Sequence, residues 1–339
     1  MPKPLVFIML TLFGVTLHAQ IGGRYTYQFL NLVASPRQAA LGGRVVTTYD
    51  YDPSSALFNP ANINYEMDNQ LAVNFSNYLG DVNYGTASYA YMLDRRTQVI
   101  HAGVTYINYG NFDGYDELGN STGDFSGGEA AVSVGYARRI GTTDLYAGGN
   151  LKLISSSLES YSSLGAAMDI GLTYVWEKQD AVMALVVRNA GAQITTYDAV
   201  REPLPLEVTL GFSQKPAKIP LRWHLTLENL QKWDIAFRNT NQDQVDLEGN
   251  VTGNDPGFFN NALRHVVIGA ELFPEGGFNI RLGYSFRRGE ELRIENQRAF
   301  AGISGGFSIK FNKLRLNYSY AQYNRAGSSS FFGLNLDLN

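Results

Sequence analysis

Chemistry needs nucleophiles, bases or metal ligands, and this chain of 339 residues offers few of them. It has 4 histidines and no cysteine. His101, His224 and His265 stand far apart, and none sits in the His-x-x-His or His-Glu-x-x-His spacing that brings two ligands to one helix face. Without thiols there are no disulfides and no zinc thiolates. A Ser–His–Asp relay takes its members from distant strands, so spacing says nothing about it. GDFSGGEAA lacks the Lys-Ser/Thr of a phosphate loop, and ALGGR lacks the third glycine and preceding strand of a dinucleotide site. Two stretches, DELGNSTG at 116–123 and DLEGNVTG at 246–253, share Asp-x-x-Gly-Asn-x-Thr-Gly. They lack the alternate acids and closing Glu of a calcium loop and read as hairpin tips. The expectation is a non-enzymatic protein with no catalytic residue, cofactor or metal.

More charge sits where a period of two places it. In FNIRLGYSF, 278–286, Phe278, Ile280, Leu282, Tyr284 and Phe286 share one face, while Asn279, Arg281, Gly283 and Ser285 share the other. LRLNYSYA at 314–321 and LRWHLTLE at 221–228 behave alike, so each reads as a strand with one apolar and one polar side. By this alternation Lys152, Asp169, Arg188, Arg222, Glu228, Arg281 and Arg315 all oppose the apolar residues. Such inward charges either tie an internal plug in place or line a lumen that binds a ligand or peptide. A desolvated carboxylate needs a cation or several donors, which makes Asp50 and Asp52 natural partners for the arginines.

The elements that would position these groups are about 14 strand candidates, with no sustained helical period beyond residue 70. They begin near Gln70, Asp81, Thr97, Glu129, Asp144, Ser163, Ala181, Leu206, Leu221, His265, Phe278, Ala299, Lys313 and Ser330. Short links (LDRRT, RRIGTT, EKQD, QKPAKIP, PEGG, FNK) alternate with long ones at 109–128, 155–162, 190–205, 230–262, 288–298 and 323–329, save a brief link around Leu79 and Gly80. Short turns on one side and long loops on the other are the plan of an outer-membrane barrel. The fold class is therefore all-β: a transmembrane barrel of about 14 antiparallel strands over 70–339, an even count that returns both ends to the periplasm and leaves the long loops extracellular. The composition agrees, with 21 Tyr, 19 Phe, 35 Gly and only 17% charged residues. A net charge of −4 disfavours nucleic acid. MPKPLVFIMLTLFGVTLHAQ has the plan of a secretory signal over 1–19: Lys3, an apolar run from Leu5 to Leu17, and Ala19 before the cleavage point.

Residues 20–69 do not read as barrel wall. Ser35, Pro36 and Gly42 suit the cap, first position and stop of a short helix. VVTTYDYD reads as a short strand, and SSALFNPANI as a helix or turn started by Pro53 and ended before Pro60. The economical place for so small a unit is the lumen. RQAALGGRVVTTYDYDPSSALFNPANI resembles the N-terminal hatch of the FadL-type outer-membrane barrels. Gly42, Gly43, Asp50, Asp52, Asn59, Pro60 and Ala61, with Ala39 and Ala56, match that pattern of small residues, Gly-Gly, an acidic pair and Ala-x-x-x-Asn-Pro-Ala. The resemblance implies a 14-stranded barrel plugged by this structural motif. With the lead-in Tyr27-Gln28-Phe29-Leu30-Asn31-Leu32 and the Asp-Glu-Leu-Gly-Asn loop, the chain looks more closely like the PorQ family of the type IX secretion system of Bacteroidetes, relatives of the PorV barrels.

That likeness implies a scaffold in the cell outer membrane: a barrel that anchors a PorZ-like surface protein, with PorU and PorV, in the attachment complex that releases secreted proteins and links them to lipopolysaccharide. The partner face would come from loops 109–128, 190–205 and 230–262, with Trp233, Phe237, Phe258 and Phe259 as aromatic anchors. The alternative is a FadL-like channel for hydrophobic compounds, which calls for an apolar pocket beside the hatch and an opening in the wall. The inward charges weigh against a greasy path.

Overall fold

The computed structural model describes residues 25–94, 98–236, 244–245, 251–252, 257–292, 301–323 and 327–339, so the leader-like segment lies outside the described residues. Fourteen antiparallel strands close into one barrel. They are β1 (Gln70–Leu79), β2 (Val82–Asp94), β3 (Gln98–Tyr115), β4 (Ser121–Arg139), β5 (Leu145–Leu158), β6 (Tyr161–Trp176), β7 (Ala181–Thr195), β8 (Glu207–Gln214), β9 (Leu221–Leu227), β10 (Val266–Leu272), β11 (Phe278–Ser285), β12 (Ile303–Phe311), β13 (Leu314–Gln322) and β14 (Ser328–Asp337). Each pairs with its neighbour in sequence, and β1 closes on β14 with Gln70 opposite Asp337 and Phe75 opposite Phe332. Closure leaves no strand edge, which lipid could not hydrogen-bond.

The period of two is realised around the whole wall. Val73, Val132, Val134, Leu151, Leu153, Ile170, Met183, Ile268, Leu282 and Leu316 face outward and are exposed, an apolar belt with no protein partner. Tyr91, Tyr136 and Phe278 stand near its short-turn end, and Tyr161, Tyr284 and Tyr320 near the other, as aromatic girdles do at a bilayer's two interfaces. The inward residues are buried and mostly polar or small, with Tyr84, Ile107, Ile154 and Phe331 as large apolar exceptions where the hatch packs. A belt of this kind meets lipid, and the protein is an outer-membrane barrel by its own surface.

The turns follow local chemistry. Asn312 sits at φ 54° in the tight link between β12 and β13, a left-handed position that Asn tolerates. Three expectations fail at the other end. Residues 109–128 are not one loop: β3 runs on to Tyr115 and β4 starts at Ser121, not near 129. This ribbon leaves the barrel where the register shifts between Asn108 and Asn111 and Gly110 takes φ 82°. Both its faces are solvated, so no alternation marked it. Residues 155–162 are likewise strand except for the turn at Glu159 and Ser160, because serines on β5 and β6 carry no apolar face to read. Phe286 belongs to a short helix, α2 (Phe286–Glu291), rather than to β11.

Residues 25–69 lie inside the barrel. Their regular pieces are a helix, α1 (Pro36–Ala40), and 3-10 turns at Gln28–Asn31, Pro53–Leu57, Pro60–Asn62 and Tyr65–Met67. Nearly all of this segment is buried. Tyr27, Phe29, Leu30 and Val33 form one apolar cluster with wall residues Tyr84, Ile107, Ile154 and Phe331. Ala56, Ile63 and Met67 form a second with Ala90, Val99 and Ala137. Full burial of each large apolar side chain contributes roughly 1.5–3 kcal/mol.

Candidate functional site

The site is the contact between this internal segment and the wall. Its backbone has no strand to pair with, so side chains satisfy it. The Ser35 hydroxyl caps α1 by accepting from Gln38 N. Asp52 accepts from Ser54 N, and Asn59 from Ala61 N, each opening a 3-10 turn with Pro at its first position. The stretch VVTTYDYD is extended but belongs to no sheet, contrary to the strand expectation. The Val46 carbonyl instead accepts from the Asn59 and Asn62 amides at 2.8 and 3.0 Å, because the closed wall offers no free edge. Asn59 also donates to Thr173 of the wall at 2.9 Å.

Pro60 and Ala61 touch the wall directly. A Cβ on Gly148 would collide with the Pro60 carbonyl and fall 2.6 Å from the Ala61 nitrogen. On Gly171 it would strike the Asn59 side chain, and on Gly283 it would strike the backbone of Leu41 and Gly42. These inward glycines are where the wall lets another backbone approach. Gly42 itself takes φ 98° after α1 and lies against β10 and β11, and Gly43 lies against Glu228 and Val267.

Charges lock the same surfaces. Glu271 of β10 is fully buried and accepts Arg37 Nε and Nη2 at 2.8 Å each and Arg281 Nε at 3.0 Å. Arg37 also pairs with Asp50 at 2.7 Å, while Arg222 reaches Asp50 at 3.9 Å and Asp180 at 3.0 Å. Burial lowers the pKa of Arg37, but Asp50 and Glu271 more than offset it and hold the guanidinium well above its ordinary value. Nearby, Arg44 bridges Glu207 and Glu228 at 3.0 Å each, and Glu207 in turn pairs with Arg188 at 2.9 Å. Arg188 also donates to the Leu30 carbonyl at 2.6 Å. Lys152 pairs with Asp169 at 2.6 Å. All seven of the inward charges read from alternation therefore face the lumen. Asp52 departs from its expected role: it meets Asn335 at 3.1 Å rather than an arginine, because its other task is to cap the 3-10 turn.

Sequence reading passed over Arg37 and Arg44 as charge partners and never raised Glu207 or Glu271. The available signal was alternation: both acids fall on the polar face of otherwise apolar strands. His224 sits between Thr47 Oγ1 at 3.1 Å and Glu271 Oε2 at 3.4 Å. The order Thr–His–carboxylate resembles a nucleophile relay. Here His224 and Glu271 are fully buried and Glu271 is committed to two arginines, so the three act as a tie between hatch and wall. His101 is buried on the inner face, and both ring nitrogens of His265 meet carbonyl oxygens, of Glu228 at 2.7 Å and Trp233 at 3.0 Å. Among the described residues no group of three or more His, Asp or Glu is placed to hold a metal ion.

At the long-loop end Trp233 lies 5.0 Å from Phe258 and stacks on His265 at 5.5 Å, and Phe258 meets Phe259 edge-on at 5.6 Å. The group is exposed, Phe259 at 80%. Phe237 lies outside the described residues, as does most of DLEGNVTG. Loop 190–205 differs from expectation. β7 continues to Thr195, residues 198–201 stay exposed with Val200 at 73%, and the chain then turns inward, with Leu204 buried on the apolar cluster and the Pro203 carbonyl accepting from Thr26. Among the described residues the surface at this end includes the 116–120 tip, residues 198–201 and the Trp233–Phe259 group. At that tip Asp116 accepts from Leu118 N, Asn120 N and the Asn120 amide. The Asn120 bonds lead in holding its carboxyl below the ordinary 3.8. A lowered acid keeps its contribution above the ordinary value and loses it as pH falls through the lowered one. The Leu118 and Asn120 amide resonances should thus shift together with a midpoint below 3.8. A midpoint at or above that value would show that the three bonds do not hold the tip.

No protein-family model matches the chain, and no curated protein matches it. Among solved structures it is similar to a FadL homologue from Pseudomonas aeruginosa, at 11% identity over 89% of this chain and 98% of that one, with a TM-score of 0.49. It is also similar to CdiB from Acinetobacter baumannii, at 12% identity over 79% and 59% of the two chains and a TM-score of 0.35. A third is the KdgM porin, at 7% identity over 80% and 99%, with a TM-score of 0.31. The chain's own closed sheet, apolar outer belt and filled lumen make it an outer-membrane β-barrel with an internal N-terminal hatch.

Proposed function

We propose that this protein is a closed outer-membrane scaffold that holds a surface partner at its long-loop end. The supporting observation is the hatch packed across the lumen, joined to the wall by buried ion pairs of Arg37 with Glu271 and of Arg44 with Glu207 and Glu228. Between hatch and wall at Phe29, Leu57, Phe58 and Lys152 the cavity measures about 20 Å³, room for one water and not for an acyl chain, and the roomier cavity of about 730 Å³ beneath the hatch is lined by the charged Asp50, Glu66, Arg222 and Arg315. A conduit for hydrophobic compounds would need an apolar pocket there. In this reading the long loops face outward and both chain ends face the periplasm. The partner is a PorZ-like protein, with PorU- and PorV-like proteins in one attachment complex that links secreted proteins to lipopolysaccharide. That finer assignment rests on the sequence resemblance of the lead-in and the hatch.

Trp233, Phe258 and Phe259 supply the aromatic anchors such a contact uses. Exchanging Phe258 and Phe259 together for Ser should weaken partner retention by about 2 kcal/mol or more. Barrel stability should not change, since both rings are exposed. The measurement is a gentle-detergent pull-down of wild type and variant from the native membrane, with mass spectrometry of what accompanies each. A barrel that emerges alone in both, carrying lipid, would overturn the scaffold reading in favour of the FadL-like channel.

A further inference from the structure

The short-turn end holds a second feature, independent of the long-loop surface. A cavity of about 730 Å³ opens there beneath the hatch. Tyr49, Tyr51, Tyr65 and Tyr146 supply aromatic wall, and Arg315, Lys310 and Lys313 stand together on β12, β13 and their turn. Lys310 and Arg315 are directly opposite each other across the β12–β13 pair and both face inward. Asn335 is the register partner of Arg315 on β14, but it is already committed to Asp52 and Asn317.

Arg315 differs from the other arginines of the network. Arg37, Arg44, Arg188 and Arg281 each meet a carboxylate within 3.0 Å. Arg315 is 93% buried by its 7% exposure, yet among the described residues no carboxylate lies within 4.0 Å of it. Its contacts are the Ser308 hydroxyl at 3.3 Å and the face of Tyr51, 4.4 Å from ring centre to guanidinium carbon. A guanidinium carries five donors in a planar fork, and one long hydrogen bond leaves most of that fork free. The acids of the cavity are spent elsewhere or stand off. Asp50 is held by Arg37 and Arg222, Asp180 by Arg222 and Lys215, and Glu275 by Lys215. Glu66, Glu177 and Asp337 complete the lining.

We propose that Arg315, with Lys310 and Lys313, forms an oxyanion subsite in this cavity, which takes a carboxylate or phosphate group on a ligand that enters from the short-turn side. The planar fork suits two oxygens of either group, Tyr51 backs the guanidinium, and the aromatic wall receives the rest of the ligand.

Calorimetric titration of the purified full-length barrel in detergent, at constant ionic strength, tests this with two probes, inorganic phosphate and N-acetyltyrosine. Saturable binding of either supports the subsite. Phosphate alone would point to a phosphoryl source, and N-acetyltyrosine alone to a chain-end carboxylate. Arg315→Gln should weaken binding on the order of tenfold or more, and Arg315→Lys should restore part of it. Lys310→Gln, at the solvated mouth, should weaken binding with the heat stability of the barrel unchanged. Absence of saturable binding by both probes, or equal affinity in wild type and Lys310→Gln together with Arg315→Gln, would overturn the proposal.

Discussion

Glu271→Gln is expected to cost about 3–5 kcal/mol and to free the hatch, because it leaves Arg37 and Arg281 buried without their shared anion. The carboxylate accepts three charged hydrogen bonds at 2.8–3.0 Å from two guanidiniums and lies 3.4 Å from His224. Replacing it with an amide removes the charge and turns one of its two acceptor oxygens into a donor facing a guanidinium, while both cations stay out of water. Arg37 retains Asp50, but Arg281 keeps only Asn317 and Ser308. The comparison is Arg139 with Asp144, a pair at 2.7 Å that is 33% and 42% exposed. Breaking that one should cost at most about 1 kcal/mol, since solvent already screens it. Loss of the folded band on heating in detergent, together with protease cleavage between residues 43 and 59, reads both effects. Equal melting of Glu271→Gln and Asp144→Asn would show that the buried network does not hold the hatch.

Gly148→Val is expected to displace the Asn-Pro-Ala turn and open the lumen to ions. The Cβ alone meets main-chain atoms of Pro60 and Ala61, which no rotamer change can move aside. Overpacking against side chains costs typically about 1–3 kcal/mol, and contact with a backbone pinned by prolines belongs at the upper end. Asn59 would lose its bonds to Val46 and Thr173 in the same movement. The strand itself tolerates Val, so the wall should still close. Planar-bilayer recordings should then find conductance in Gly148→Val and none in wild type. A Val substitution at Gly149, whose side faces outward with no backbone so near, should behave as wild type. A conducting wild type would remove the closed-scaffold reading, and a silent Gly148→Val would show that Pro60 can yield.

Which charges turn inward was written into the sequence, and their partners were not. Lys152, Asp169, Arg188, Arg222, Arg281 and Arg315 could be placed because a strand puts every second side chain on one face whatever its neighbours are. Their pairings join residues such as Arg37 and Glu271, 234 positions apart, and depend on the height at which the hatch sits in the lumen. Nothing local encodes that height. The ribbon at 109–126 was missed for a related reason: with water on both faces, its pattern resembles that of any polar loop.

The sequence by itself determined the barrel and its strand number, since burial in lipid on one side and in a polar lumen on the other imposes a period of two on each segment. It also determined the local turns of the hatch, because Ser35, Asp52 and Asn59 cap their own following residues and the prolines fix the backbone beside them. Tertiary structure alone decided that VVTTYDYD stays unpaired, that the end of loop 190–205 turns in at Leu204, that Asp52 meets Asn335, and that Arg315 has no carboxylate within 4.0 Å among the described residues. Each of these depends on which atoms a closed wall brings within about 3 Å, the range over which hydrogen bonds form. No spacing along the chain carries that information.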